Sequence, residues 1–144
     1  MSQTVFIGSD HAGFLLKERM KAELPQIDWV DVGTNDCSRV DYPDYADRLA
    51  KRVLADGGRG VLICGSGQGI AMRANRYKGI RAAVVWSEDS VRLSREHNDA
   101  NIICLGARLI DHGLAKRLIE LFLQTPFEGG RHADRVKKIE RPTS

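Results

Sequence analysis

The residues best suited to chemistry stand in one short run, Leu62-Ile63-Cys64-Gly65-Ser66-Gly67-Gln68-Gly69-Ile70. An apolar stretch ends in a cysteine, and three alternating glycines then lead into a helix. Glycines at this spacing let successive backbone N–H groups turn toward one bound anion, helped by the helix N-terminus. Such a cradle suits a phosphate or a transient oxyanion. A thiol beside it is drawn toward thiolate and can act as base or nucleophile. The competing reading is a plain tight turn, with Cys64 a small buried apolar side chain. Named phosphate loops do not fit. A dinucleotide fingerprint wants GxGxxG after the first strand, whereas this is GxGxG after the third. A Walker loop needs Gly-Lys-Ser/Thr, which is absent. A cysteine-phosphatase loop would carry Arg six positions after the cysteine, where Ile70 stands.

Other reactive side chains are scattered along the chain. His11 follows the first apolar run in Gly8-Ser9-Asp10-His11 and reads as either a structural histidine or a ligand. His97 sits where a helix ends, so it is either a cationic C-cap or a general acid/base that titrates near neutrality. Arg131 and Arg135 lie four apart on one helical face. They form either an exposed basic face or a pair of forks for a phosphate. Cys37 and Cys104 look like ordinary side chains, His112 like a surface residue, and Trp29 and Trp86 like core or pocket wall.

Alternating elements must position these groups. Thr4–Gly8 reads as a strand, 14–24 as a helix stopped by Pro25, and Trp29–Val32 as a second strand. Pro43 opens a helix to about Ala55, stopped by Asp56-Gly57-Gly58. Gly60–Ile63 is a strand apolar on both faces, followed by a short helix near 70–75. Ala82–Trp86 is strand four, 87–97 a helix capped by Ser87, and Ile102–Leu105 strand five. Asp111–Gln124 has an apolar helical stripe, Pro126 ends it, and a last helix starts near His132. Arg141 to Ser144 are expected to fray. This alternation predicts an α/β fold: a single Rossmann-like three-layer domain over 1–144, with a five-stranded parallel sheet and a C-terminal helix. Ligands of such sheets bind beyond the carboxyl ends of the strands. That edge gathers Ser9-Asp10-His11, the Cys64–Gly69 loop, Ser87-Glu88, Gly106 and Arg108.

Composition narrows the class. The 144 residues are 42% hydrophobic and 28% charged, ordinary for a globular domain. A net charge of +3 is no nucleic-acid signature. No apolar run is long enough to span a membrane and no signal peptide is visible. Three widely spaced cysteines, with no CxxC or HxxxH, speak against a disulfide framework and a zinc site. The expected setting is a reducing cytoplasm.

Taken together, GSDHAGFLLK at 8–17, DVGT at 31–34, DYPDYA at 41–46, ICGSGQGIA at 63–71, the stretch at 79–109 and GGRHADR at 129–135 resemble the ribose-5-phosphate isomerase B family. That family lies within the wider sugar-phosphate isomerases that include galactose-6-phosphate isomerase. The resemblance implies interconversion of ribose 5-phosphate and ribulose 5-phosphate in the pentose phosphate pathway, without metal or cofactor. It implies a homodimer or homotetramer with active sites at the dimer interface. It gives Cys64 the carbon-bound proton, Ser66 the shuttle between sugar oxygens, and His97 the opening of the furanose ring. The amides of Gly65, Gly67 and Gly69 would face the enediolate. Asp10, Tyr42 and Asn98 would contact hydroxyls, and His11, Arg108, Arg131 and Arg135 the phosphate. The C-terminal arginines would reach into the neighbouring subunit, and His132 would stand near the ring. Gln68 departs from the family's small apolar residue near the sugar, which leaves the exact substrate open. Two other readings stay open: an isomerase of an allose, galactose or tetrulose phosphate, and a non-catalytic sugar-phosphate binding module.

Overall fold

The computed structural model describes residues 3–143. In chain order the elements are β1 (Thr4–Ser9), α1 (Phe14–Glu23), β2 (Asp28–Asp31), α2 (Tyr42–Asp56), β3 (Arg59–Cys64), α3 (Gln68–Ala74), β4 (Ala82–Val84), α4 (Glu88–Glu96), β5 (Ile102–Gly106), α5 (His112–Gln124) and α6 (Arg131–Glu140). The strands form one parallel sheet in the order β2-β1-β3-β5-β4. Alternate side chains of the three central strands feed two cores. Val5, Ile7, Val61, Ile63, Ile103 and Leu105 pack with α1, α4 and α5. Phe6, Leu62, Cys64, Ile102 and Cys104 pack with α2 and α3 on the other face. Both faces are covered, which is why these strands read as unbroken apolar runs.

The strand order fixes where a ligand fits. From β1 the chain crosses by α1 to β2 on one side. From β3 it crosses by α3 to β4 on the other. The carboxyl ends of β1 and β3 therefore diverge and leave a crevice between them, the switch point of an open α/β sheet.

Local chemistry sets the helix ends. Ser87 Oγ accepts from Ser90 N–H at 3.1 Å, and Ser90 Oγ accepts from Ser87 N–H at 3.0 Å, a reciprocal capping box for α4. Asp111 Oδ1 caps α5 through Leu114 N–H at 2.7 Å. Helix α2 begins at Tyr42, one residue before the expected start, with Pro43 in its first turn. Strand β4 stops at Val84, two residues short of the expected Trp86. It is an edge strand, and Trp86 stands 63% exposed. Trp29 is half-buried, its Nε1–H donating to Leu24 O. Residues 141–143, expected to fray, lie along a cavity of about 590 Å³ beside Arg76, Arg81 and Glu140, while Ser144 is outside the described residues.

One buried ion pair organises the approach to the crevice. Lys17 is fully buried and its Nζ lies 2.5 Å from Asp31 Oδ2, with Lys21 Nζ at 2.8 Å from the same oxygen. Asp31 Oδ1 accepts from Gly33 N–H at 2.8 Å. Gly33 O then accepts from Ser9 N–H, and Ser9 O from Thr34 N–H, at 2.8 and 2.9 Å. These bonds tie the 33–34 loop to the end of β1. Burial pushes the Asp31 carboxyl up, but the bonds from Lys17, Lys21 and Gly33 outweigh it and hold the group below the ordinary aspartate range. A carboxyl depressed in the folded state stabilises fully above its unfolded value and loses that contribution as pH falls through the folded one. The urea midpoint is therefore expected to fall more steeply below about pH 4 in wild type than in Asp31→Asn. Parallel acid profiles would refute this ordering.

Candidate active site

The crevice is a cavity of about 410 Å³ lined by Asp10, His11, Ala12, Tyr42, Cys64, Gly65, Ser66, Gly69, Arg108 and Leu109. Its volume suits a small metabolite. Cys64, the last residue of β3, is 4% exposed and faces this space. The chain behind it turns sharply because Gly67 adopts φ +78°. That turn sends the Gly67 N–H back onto Cys64 Sγ at 3.1 Å. Gln68 N–H goes to Ser66 Oγ at 3.3 Å. Two amides of the loop are thus used within it, which narrows the oxyanion cradle expected from sequence. Below lies the fully buried Cys104, whose thiol burial and the neighbouring Cys64 push upward, so it stays protonated. Cys37 is exposed and lies elsewhere.

The surrounding groups are held by main chain. Asp10 is buried, and its Oδ1 accepts from Gly13 N–H at 3.1 Å. His11 Nδ1 lies 3.1 Å from both Val40 N and Val40 O. When Nδ1 accepts from Val40 N–H, the ring proton sits on Nε2, a donor suited to an anion. Arg108 folds over Gly65, where a Cβ would meet Nη1 at 3.0 Å. Its own N–H donates to Gly65 O at 3.0 Å, and Ala107 N–H to Cys64 O at 2.8 Å. The Tyr42 ring packs on Gly69 so closely that a Cβ there would stand 2.6 Å from it.

The remaining candidates are not in this cavity. His97 caps the end of α4, and the chain then reaches Asn101 and the first residue of β5. This is the amino edge of the sheet, a strand's length from Cys64, on the order of 15 Å. There His97 stacks on His132 of α6, with ring centroids 4.2 Å apart and planes 12° from parallel. His132 is buried, Arg131 and Arg135 are exposed, and Asn98 lines the separate cavity beside Arg81. Burial, then His97 and Arg131, keep the His132 imidazole below its ordinary range, with only Glu128 opposing. Glu128 Oε1 lies 3.5 Å from His132 Nε2. It was missed in the sequence although its i,i+4 spacing is visible. These three side chains bring ligand atoms within 4.8 Å of one another. Yet imidazole ligates a metal in its ring plane, and one ion cannot lie in the planes of two stacked rings.

Gln68 lines not the cavity but a neighbouring groove of about 530 Å³, with Met72, Val84, Trp86 and Leu109. His112 is exposed, as expected.

A doubly wound α/β protein with a thiol, an aspartate, a histidine and an arginine converging at its switch point defines a small-molecule enzyme without a nucleotide loop. A family model for Ribose/Galactose Isomerase matches residues 5–139, and the chain belongs to that family. Ribose-5-phosphate isomerase B of Escherichia coli is 42% identical over 140 residues, covering 94% of this chain and 93% of that protein. The crystal structure of a ribose 5-phosphate isomerase from Thermotoga maritima superposes with a TM-score of 0.94 at 45% identity, over 97% of this chain and 99% of that one. Ribose-5-phosphate isomerase B from Mycoplasma genitalium, solved with bound ribulose 5-phosphate, superposes at 0.91 with 42% identity over 98% and 96% of the two chains.

Two glycines of the site separate by what their Cβ would strike. Gly13→Ala drives a methyl to 2.4 Å from the Ile63 carbonyl oxygen, main chain that cannot yield. It is expected to destabilise by about 1–3 kcal/mol in urea unfolding. Gly69→Ala meets only the Tyr42 side chain and adds helix propensity. Its stability should hold or rise while KM for a sugar phosphate climbs several-fold. A stable variant with wild-type KM would remove Tyr42 from the binding surface.

Proposed function

We propose that this chain interconverts ribose 5-phosphate and ribulose 5-phosphate as a cytoplasmic, cofactor-free aldose–ketose isomerase of the pentose phosphate pathway, acting as one domain in a homodimer or homotetramer. The observation that carries the reading is the Cys64 sulfur at the cavity wall, bonded by the Gly67 amide and flanked by Ser66. In the first step His97 assists transfer of the ring proton and the furanose opens to the aldehyde. The Cys64 thiolate then takes the proton from C2, and the electrons of that bond move to the carbonyl as a cis-enediolate. Amides of the 65–69 loop oppose the charge on oxygen. Ser66 moves a proton between O1 and O2. Cys64 returns its proton to C1, and the ketose results with no net change in the protein. Asp10, Tyr42 and Asn98 orient hydroxyls, while His11, Arg108, Arg131 and Arg135 hold the phosphate. Binding the remote phosphate fixes C1 and C2 against the sulfur.

In this reading each site is built from two copies. His97, Asn98, His132 and the two arginines lie at the amino edge of one chain, and the Cys64 cavity at the carboxyl edge of another. Two features support such pairing. The groove beside the cavity exposes Met72, Trp86 and Leu109, each 63–67% accessible, and shares Ser66 and Leu109 with the cavity. Helix α6 presents Arg131 and Arg135 outward. A pentose is favoured over other sugars because a relative 42% identical over nearly the whole chain is solved with bound ribulose 5-phosphate.

Cys64→Ala is expected to lower kcat about a thousandfold, within the range of a lost general base, with KM little changed. Wild-type turnover in that variant would overturn the base assignment. Purified protein should isomerise ribose 5-phosphate at full rate after exhaustive chelation. Loss of activity that returns with a divalent cation would overturn the metal-free mechanism, and a preference for allose or tetrulose phosphates would overturn the substrate.

A further inference from the structure

The corner that carries His97 is held by charged groups that the reaction does not use. Helix α6 buries a single side chain, His132, so it is fastened mainly at its two ends. One end is the imidazole stack on His97. The other is Glu140, which accepts from Gly79 N–H at 3.0 Å through Oε1 and from Arg81 Nη1 through Oε2. Arg81 turns its opposite side to the residues just after His97. Its Nε lies 3.1 Å from both the Asn98 and Asp99 carbonyl oxygens, and Nη2 is 3.5 Å from Asp99 Oδ2. Asp99 has φ +48°, the one positive φ outside glycine among the described residues. Such a backbone persists only when its surroundings hold it. The holding groups are Arg81 and the buried Arg95, whose Nη1 donates to Asp99 Oδ1 at 2.8 Å and Ala100 O at 2.7 Å.

Neither arginine reaches a cavity shared with Cys64. Arg95 has its remaining bond, through Nε, to Thr125 O at 3.0 Å and acts within the body of the fold. Arg81 is different because it joins two separate segments, the 98–99 turn and the end of α6. Those segments carry His97 and His132. We infer that Arg81 is a positioning residue: held between Asp99 and Glu140, it sets the His97 turn against α6 so that the two imidazoles stack and meet substrate in one orientation.

This rests on the reading of His97 as a working group, and the test separates the two. In the full-length protein Arg81→Gln is expected to lower kcat about tenfold, since small misplacement of a working group costs rate steeply. Arg81→Lys, which keeps the charge but not the fork, should recover part of it. In a His97→Ala background Arg81→Gln should lower kcat no further, because residues acting as one unit are not additive. NMR titration of the His132 ring, faced by His97, Glu128, Arg131 and Arg135, should move up toward that of an ordinary histidine in Arg81→Gln. A merely structural tie would alter melting without these signatures. Should Arg81→Gln not fold, Glu140→Gln cuts only the α6 side and should give the same pattern at about threefold. An inactive His97→Ala beside an Arg81→Gln with wild-type kcat and titration overturns the proposal alone. So does an equal further loss in the His97→Ala background. A fully active His97→Ala overturns the reading of His97 and the proposal with it.

Discussion

A main-chain amide held against a sulfur atom is the contact on which the rest of this site turns. Gly67 N–H reaches Cys64 Sγ only because the intervening residues reverse direction at a left-handed glycine. No other residue suits the place. A Cβ at Gly67 would meet main-chain atoms of Leu105 and Gly106 at 3.1–3.2 Å, and one at Gly106 would meet the Ser66 backbone at 2.8 Å. The turn is therefore clamped between the ends of β3 and β5 by glycines on both sides of the contact. The same layer holds a second thiol, Cys104, with no such amide and no solvent, and burial keeps it protonated. Two cysteines in one core thus differ in surroundings: Cys64 meets the Gly67 amide and lines the cavity, while Cys104 is fully buried.

The parallel sheet imposes a second constraint. A strand that ends at the carboxyl edge is followed by a helix that must return to the amino edge. Groups at strand ends and groups at helix ends therefore lie at opposite sides of one layer, and no side chain spans the gap. Cys64, Ser66, Asp10, His11 and Arg108 belong to the first set. His97, Asn98 and the α6 residues belong to the second. In the proposed reading the two sets meet across two copies of the chain, and the exposed Met72, Trp86 and Leu109 beside the cavity offer that contact an apolar surface.

Much of this could be read from residue order, and the failures have identifiable causes. The central strands β1, β3 and β5 were plain because burial on both faces demands continuous apolar runs. Strand β4 ends short of the apolar Val85 and Trp86: Val85 still donates to Cys104 O at 3.1 Å, but Trp86 turns its ring to solvent and its N–H to Ser90 Oγ, so apolar character alone overstates the strand. The Cys64 cavity was legible because Asp10, His11, Ser66 and Arg108 each come just after the end of a strand, whereas Tyr42, at the start of α2 and well beyond β2, carries no such marker. The distance of His97 from it was legible in principle, since a residue closing a crossover helix must lie at the amino edge. The use of two loop amides inside the loop was not, because hydrogen-bond partners depend on φ angles that sequence does not state. The ties made by Arg81 join residues up to 59 positions apart, and no local pattern announces them.

The arrangement also explains why a phosphate far from the reacting carbons can matter to the rate. Arg108 is not a loose arm over the cavity. Its amide is bonded to Gly65 O, and that of Ala107 to Cys64 O, so the segment after β5 and the cysteine loop form one hydrogen-bonded body. In the proposed role, a phosphate held by this arginine is held in the frame of the sulfur itself. The open-chain sugar between them has few conformations that satisfy both ends. Binding energy gained at the phosphate then appears as restricted motion at C1 and C2, where an attack by sulfur on hydrogen depends on tenths of an ångström. A thiol alone at the end of a strand would lack that restraint, and an arginine on a separate mobile loop would not supply it.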